Sequence, residues 1–264
     1  MIKKIHLPSF LKPYSSDKLI RFGRNNDGGY LIEKKSMLES DVLLSFGIDH
    51  DWSFEEEFYF RTNSLVHTYD GSVGPIFFIK KLKMRIQGLV TKPSKEYFEV
   101  SKFWFRLPLN FYKFFKILHS KKGPNHFEKF VGNDEGYIAF KDTLKNIPKK
   151  SNKIFLKIDI EGDEYYLLDE IIEKSELFTA LVIEFHTVNK NINKIENFIS
   201  LFDLNLVHIH INNYGNISEN GIPEVIELTF SKFSNLDFIE NDLPHKLDQS
   251  NDKKSWSYEI EFLK

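Results

Sequence analysis

The 264-residue sequence contains no cysteine. Disulfides, thiolate metal sites and thiol nucleophiles are therefore excluded, and polar chemistry falls to His, Asp and Glu. No uncharged apolar run approaches the ~20 residues that span a bilayer, so no transmembrane segment is expected. The first stretch, Met1 to Leu11, has two lysines but too short an apolar run for a signal peptide. A cytoplasmic protein is the expectation. Internal repeats and low-complexity tracts are absent too, which favours a single domain over residues 1–264 with an insertion at about 74–125. What is present is a globular composition, 41% hydrophobic and 28% charged, made unusually aromatic by 26 Phe and 11 Tyr. The net charge of −2 hides an asymmetry: between Ile76 and Lys122 there are 12 Lys or Arg against 2 Glu, while the remainder carries 24 against 36 acids. One segment is built to meet anions.

From Asp41 onward, apolar runs of strand length alternate with helix-like patterns, as in a parallel sheet with crossover helices. Asp41–Ile48 reads as a buried strand, Ser53–Thr62 as the helix after it, with Ser53 and Glu56 in a capping box. Leu65–Asp70 is a second strand. The basic aromatic insertion follows, with Phe111, Phe114, Phe115 and Leu118 at helical spacing. Phe127–Gly132 is a candidate third strand and Phe140–Ile147 a short helix. Further on, Lys153–Glu161, Ala180–Val188 and Asn205–Asn213 read as strands. A helix with Tyr165, Leu168, Ile171 and Ile172 on one face separates the first two, and a helix over Ile192–Leu204 the second two. Pro223–Phe233 follows without room for a crossover, so antiparallel pairing is expected. The polar tail after Leu236 stays unassigned.

In such sheets ligands sit beyond the carboxyl ends of the strands. Polar residues cluster there: GIDHDWS after the first strand, YDGS after the second, then DIEGDE, EFH and HIHINN. Gly47 permits close backbone approach, and a helix capped by Ser53 would turn free N–H groups towards an anion. Asp70, before Gly71, stands where an acid accepts ribose hydrogen bonds; an Asx turn is the equal alternative. Residues two apart on a strand share a face, so Asp159 pairs with Glu161, Glu184 with His186, and His208 with His210 and Asn212. Convergence of these strand ends on one pocket is the expectation.

At KIDIEGDEYYLLDE (Lys157–Glu170) the sequence resembles the FkbM-type family of S-adenosylmethionine-dependent methyltransferases. RNNDGGYLI (Arg24–Ile32) and SFGIDHDWSFEEEF (Ser45–Phe58) are similar to a related methyltransferase-like branch. The likeness covers roughly Arg24–Val73 and Lys153–Asn213. It implies a Rossmann-type α/β fold, mostly parallel with an antiparallel last strand, to which this chain adds a basic aromatic helical insertion. It also implies S-adenosylmethionine as cofactor, with Gly47 in the glycine motif, Asp70 and Gly71 at the ribose and Asp159 beside the methionine or the methyl. FGIDHD lacks the second glycine of a GxG turn, a gap that Ser53 or Asp27 would fill. FkbM-like enzymes often methylate sugar hydroxyls, so the resemblance implies a sugar or nucleotide-sugar acceptor in surface polysaccharide synthesis.

Methylation of a hydroxyl needs a place for its proton. His186 or His210 suits a general base, oriented by Asp159 or Glu184. Alternatively Asp159, Glu184 and His186 hold a divalent cation, Mg or Mn, that acidifies the hydroxyl. Lys80, Lys81, Lys83 and Arg85 would attract a diphosphate. Nucleic acid is not the expected partner, although the insertion equally suits RNA, an anionic membrane or a lipid-linked acceptor, or plain packing with solvated lysines. A non-catalytic Rossmann binding module is the alternative of a different class. Oligomeric state is not legible.

Overall fold

The runs read as strands are buried along nearly their whole length, the condition for a sheet covered on both faces. The computed structural model describes residues 2–117, 123–149, 151–235, 237–239 and 243–263. Its first elements are β1 (Ile2–Leu7), β2 (Leu19–Gly23), β3 (Gly29–Glu33), α1 (Lys34–Leu38), β4 (Val42–Phe46) and α2 (Ser53–Thr62). Then come β5 (Leu65–Tyr69), α3 (Pro75–Thr91), α4 (Lys95–Tyr112), β6 (Asn125–Phe127), α5 (Phe140–Lys145) and β7 (Ile154–Ile158). The chain continues through α6 (Leu168–Glu173), β8 (Phe178–His186), α7 (Val188–Leu201), β9 (Asn205–Ile211), β10 (Val225–Ser231) and β11 (Ser257–Phe262).

Seven strands form the central sheet in the order β6-β5-β4-β7-β8-β10-β9. All pair in parallel except β10, which runs antiparallel to both β8 and β9. Counted by the sheet's own strands, the order is 3-2-1-4-5-7-6. This is the doubly wound Rossmann order with an antiparallel strand inserted, and its direction reverses between β4 and β7. The fold expected from the sequence is therefore the fold observed.

Alternation along each strand feeds two layers. Leu44 and Phe46 of β4 join a core with Phe140, Ile171 and Phe198 from α5, α6 and α7. Leu43 points the other way, into a cluster with Phe54 and Phe58 of α2 and Phe22 and Tyr30 of the β2–β3 hairpin. A third cluster roots the insertion: Phe111, Phe114 and Phe115 bury against Ile48, Trp52 and Val73 beside the sheet's carboxyl edge. Leu118, expected on the same face, lies outside the described residues.

Two local expectations are corrected, and the unassigned tail gains a strand. The third strand is Asn125–Phe127; Phe127–Gly132 contributes only its first residue and an isolated bridge from Val131 to Ile138. The Ser53–Glu56 capping box does not form. Asp51, two residues earlier, takes the Ser53 N–H at 3.1 Å, and Ser53 Oγ accepts from the Arg24 N–H at 2.9 Å. The unassigned tail supplies β11, which pairs in parallel with β1 at the other end of the chain.

Candidate active site

A cavity of about 640 Å³ opens at the carboxyl edge of the sheet, and Asp27, Gly47, Asp70, Asp159, Glu184 and His186 all line it. Its geometry starts at Gly47. The turns after β4 and β7 touch backbone to backbone, and a Cβ at Gly47 would stand 1.7 Å from the Asp159 carbonyl oxygen. With φ of +79° as well, only glycine fits. Where a second glycine would complete the motif stands Asp49, and it keeps a glycine-like φ of +39°. Glu161 after β7 (φ +58°) and Thr187 after β8 (φ +53°) are likewise left-handed. Three of the parallel strands thus end in a strained non-glycine residue at one edge, a distribution typical of functional sites.

Asp70 fixes the β4 turn. Its Oδ2 accepts from the N–H groups of Ile48 and Asp49, both at 2.9 Å, and its Oδ1 from the Ser72 N–H at 2.8 Å. The Asx-turn alternative is realised, and both oxygens are already engaged. Gly71 does not line the cavity; a Cβ there would strike the Phe130 ring at 2.4 Å. Ser53 is also outside the lining, held instead to Arg24. Asp27 reaches the cavity from the β2–β3 turn, where Asn251 donates to it at 3.2 Å.

The floor is an acidic cluster. The Tyr30 hydroxyl donates to Asp159 Oδ2 at 3.2 Å and lies 3.5 Å from Glu184 Oε2, while Asn212 donates to Glu184 Oε1 at 3.0 Å. Beneath them Lys157 is buried, 3.2 Å from Glu55 and donating to the Gly47 carbonyl at 3.1 Å. Burial pushes the Glu184 carboxyl well above the usual range, and the charges of Asp159, Glu227 and Asp27 push the same way. Burial also raises Asp159, against the opposing pull of Lys157 and His186. For Lys157 burial acts downward, but the carboxylates of Glu55 and Asp159 outweigh it and leave the ammonium above its ordinary value.

His186 closes β8 with Nε2 3.5 Å from Glu184 and 3.4 Å from Glu161, and Nδ1 3.4 Å from Glu164. Glu164 is fully buried and anchored: its Oε1 accepts the His186 N–H at 2.6 Å and its Oε2 the Gly162 N–H at 2.8 Å. Burial alone would lower the imidazole pKa; Glu164, Asp159 and Glu161 together raise it above the ordinary value. One donor atom from each of Asp159, Glu184 and His186 lies within 4.8 Å of the others. Two carboxylates and an imidazole suit Mg or Mn.

His210 is not part of this cavity. The β10 strand separates β9 from β8, so His210 stands opposite Glu227, which stands opposite Glu184. Its Nε2 meets Asn251 Oδ1 at 3.0 Å, and its Nδ1 lies 3.6 Å from Asp248. Asp248 also takes His208 at 2.9 Å. Convergence of all three strand ends is thus corrected: of His208, His210 and Asn212, only Asn212 lines the main cavity.

Sequence reasoning passed over Tyr30 and Lys157. Each had a signal: Tyr30 ends the DGGY stretch, and Lys157 shares a strand face with Asp159. Lys81 and Arg85, expected to attract a diphosphate, lie over the Trp104 ring, each 5.1 Å from its centre.

Neither a family model nor a curated protein sequence matches the chain. Among solved structures, Methanococcus jannaschii fibrillarin, a pre-rRNA processing protein, is similar at 8% identity and TM-score 0.38, over 76% of this chain and 70% of that one. A candidate sarcosine dimethylglycine methyltransferase from Galdieria sulphuraria is similar at 8% identity and TM-score 0.35, over 75% and 80%. Pyrococcus abyssi tRNA (uracil-54, C5)-methyltransferase with S-adenosyl-L-homocysteine gives 11% identity and TM-score 0.34, over 81% and 43%. With scores this far below 0.5, the Rossmann-type fold rests on the strand order of the sheet itself.

Proposed function

We propose that this chain is an S-adenosylmethionine-dependent O-methyltransferase whose acceptor is a sugar hydroxyl, carried on a nucleotide and destined for a surface polysaccharide. One observation carries the reading. Asp159, Glu184 and His186 gather beside the Gly47 turn in a single cavity at the carboxyl edge of a 3-2-1-4-5-7-6 sheet. The chain also holds the DGGY, DWSFE and KIDIEG stretches that resemble methyltransferase motifs.

The residues present fit the cofactor. A cavity near 640 Å³ lies within the roughly 300–1,000 Å³ of small-molecule sites. Ile48, Tyr69, Phe130 and Val131 supply apolar wall for a purine, and Asp49 and Asp159 supply acceptors for hydroxyl and ammonium groups. When bound, S-adenosylmethionine provides an electrophilic methyl group on a sulfonium. The chain's own task is to position the acceptor hydroxyl and remove its proton.

His186 is the group for that proton, taken at Nε2 on the Glu184 side. Glu164 at Nδ1 steadies the ring and favours the imidazolium that results. Tyr30 holds Asp159 and Glu184 at a fixed separation, leaving their remaining lone pairs for the acceptor's hydroxyls. A purified sample answers both halves of the proposal. Calorimetry with S-adenosylmethionine and its demethylated product should show binding, and labelled methyl should pass to at least one member of a nucleotide-sugar panel. Absent binding removes the methyltransferase; binding without transfer across the panel removes the sugar acceptor.

A further inference from the structure

The α3–α4 hairpin exposes more large apolar side chains than any other part of the described chain. On α4, Phe98, Phe105, Leu109 and Tyr112 recur at intervals of seven, four and three residues, so they form one stripe along the helix. On α3, Ile76, Ile79, Ile86 and Val90 form another, at intervals of three, seven and four. All eight are exposed, from 39% at Phe105 to 77% at Val90. The opposite side of α4, with Trp104, Leu107 and Phe111, is the side that packs on the domain, so the outward stripe is not required for folding. Cations flank the stripes: Lys80 and Lys83 on α3, Lys95, Lys102 and Arg106 on α4, and Lys113 just beyond it, all exposed.

We infer that this hairpin docks flat on an anionic phospholipid surface, its apolar stripes sunk to the headgroup boundary and its lysines on the lipid phosphates. Apolar residues bordered by Lys and Arg on an outward helix face are the pattern of interfacial helices. No described helix is long and apolar enough to cross a membrane, so the mode is lying on the surface rather than spanning it. A second copy of the chain is a poorer occupant, because pairing would set a hairpin with 8 Lys or Arg and 2 Glu between Pro75 and Tyr112 against itself. RNA is poorer too, since five of the eight stripe residues, Ile76, Ile79, Ile86, Val90 and Leu109, offer no ring for a base to stack on.

The inner side of the same hairpin borders the site. His50 lines the main cavity and stacks on Trp104 of α4, ring centres 5.2 Å apart. A hairpin lying on lipid would therefore hold the cavity rim one helix diameter, ~10 Å, from the headgroups.

The test needs no cofactor, so it stands apart from the activity proposed above. The full chain is sedimented with vesicles of phosphatidylcholine alone and of equal parts phosphatidylcholine and phosphatidylglycerol. Binding to the anionic vesicles, weakened by added salt and much lower on the neutral ones, is expected. Phe105→Asp with Leu109→Asp should cut that partition about tenfold or more, and Lys83→Glu with Arg106→Glu and Lys113→Glu by a similar factor. Unchanged thermal melting shows that these variants fold. Failure to bind anionic vesicles at low salt overturns the inference, as does binding indifferent to the apolar substitutions. A dimer in light scattering that Leu109→Asp dissolves, without vesicle binding, assigns the face to a second copy. RNA binding sensitive only to the charge reversals, without vesicle binding, assigns it to nucleic acid.

Discussion

Two clusters of buried acids and imidazoles lie on one sheet, with β10 between the β8 of one and the β9 of the other, and they are built on opposite principles. Around Asp159, Glu184 and His186 negative charge is crowded. Burial pushes both carboxyls up, repulsion from Asp159 raises Glu184 further, and the cluster opens on the main cavity. Around Asp248 the charges are matched. Burial would raise Asp248, but His208 and His210 hold it well below the usual range, and burial would lower His210, yet Glu227 and Asp248 bring it up to about 9. Satisfied groups are the mark of structure, whereas frustrated groups facing open space have chemistry left to do.

The largest expected effect breaks the matched cluster. Asp248→Ala leaves two buried imidazoles without their carboxylate and should cost about 3–5 kcal/mol, read from the denaturation midpoint. Next comes a test that separates the two histidines. His186→Asn should lower turnover by roughly 100-fold or more with cofactor affinity nearly unchanged, whereas His210→Asn should lower stability and leave turnover within a few-fold. Equal losses of turnover would restore His210 to the site.

Dependence on pH sharpens the contrast. The folded-state pKa of His210 lies above its unfolded value of about 6.5, so its contribution to stability is complete below that point and is lost as pH rises through about 9. Glu184 acts in the same direction but from a lower pH. As a carboxyl with a raised pKa it is least costly when protonated, and it penalises the fold increasingly as pH climbs above its unfolded value. Glu184→Gln should therefore raise the melting temperature at neutral pH by a few degrees while impairing activity. The smallest effect concerns the metal alternative: a chelator should leave turnover intact. Loss that Mg or Mn restores would assign Asp159, Glu184 and His186 to a cation instead.

Much of the fold was legible because its strands are short apolar runs with polar ends, and because Pro223–Phe233 lacks room for a crossover. What sequence could not supply was lateral order. Knowing that β10 is antiparallel does not say that it slides between β8 and β9, and that one placement removes His210 from the cavity while leaving Asn212. The β1–β11 pair was hidden for a related reason, since its two strands come from opposite ends of the chain. The capping box failed through competition: Asp51 is nearer to the Ser53 N–H than any partner the motif foresees. In the site, spacing brought Asp159, Glu184 and His186 to one edge, but Tyr30 crosses from a separate hairpin, which no periodicity within β7 or β8 could announce.

The stack of His50 on Trp104 has a practical corollary. Protonated imidazole quenches indole emission, and this indole belongs to the outward hairpin while its imidazole belongs to the cavity wall. The molecule thus carries its own fluorophore at the junction between pocket and hairpin, so that filling either should change the light it gives off, with no label added.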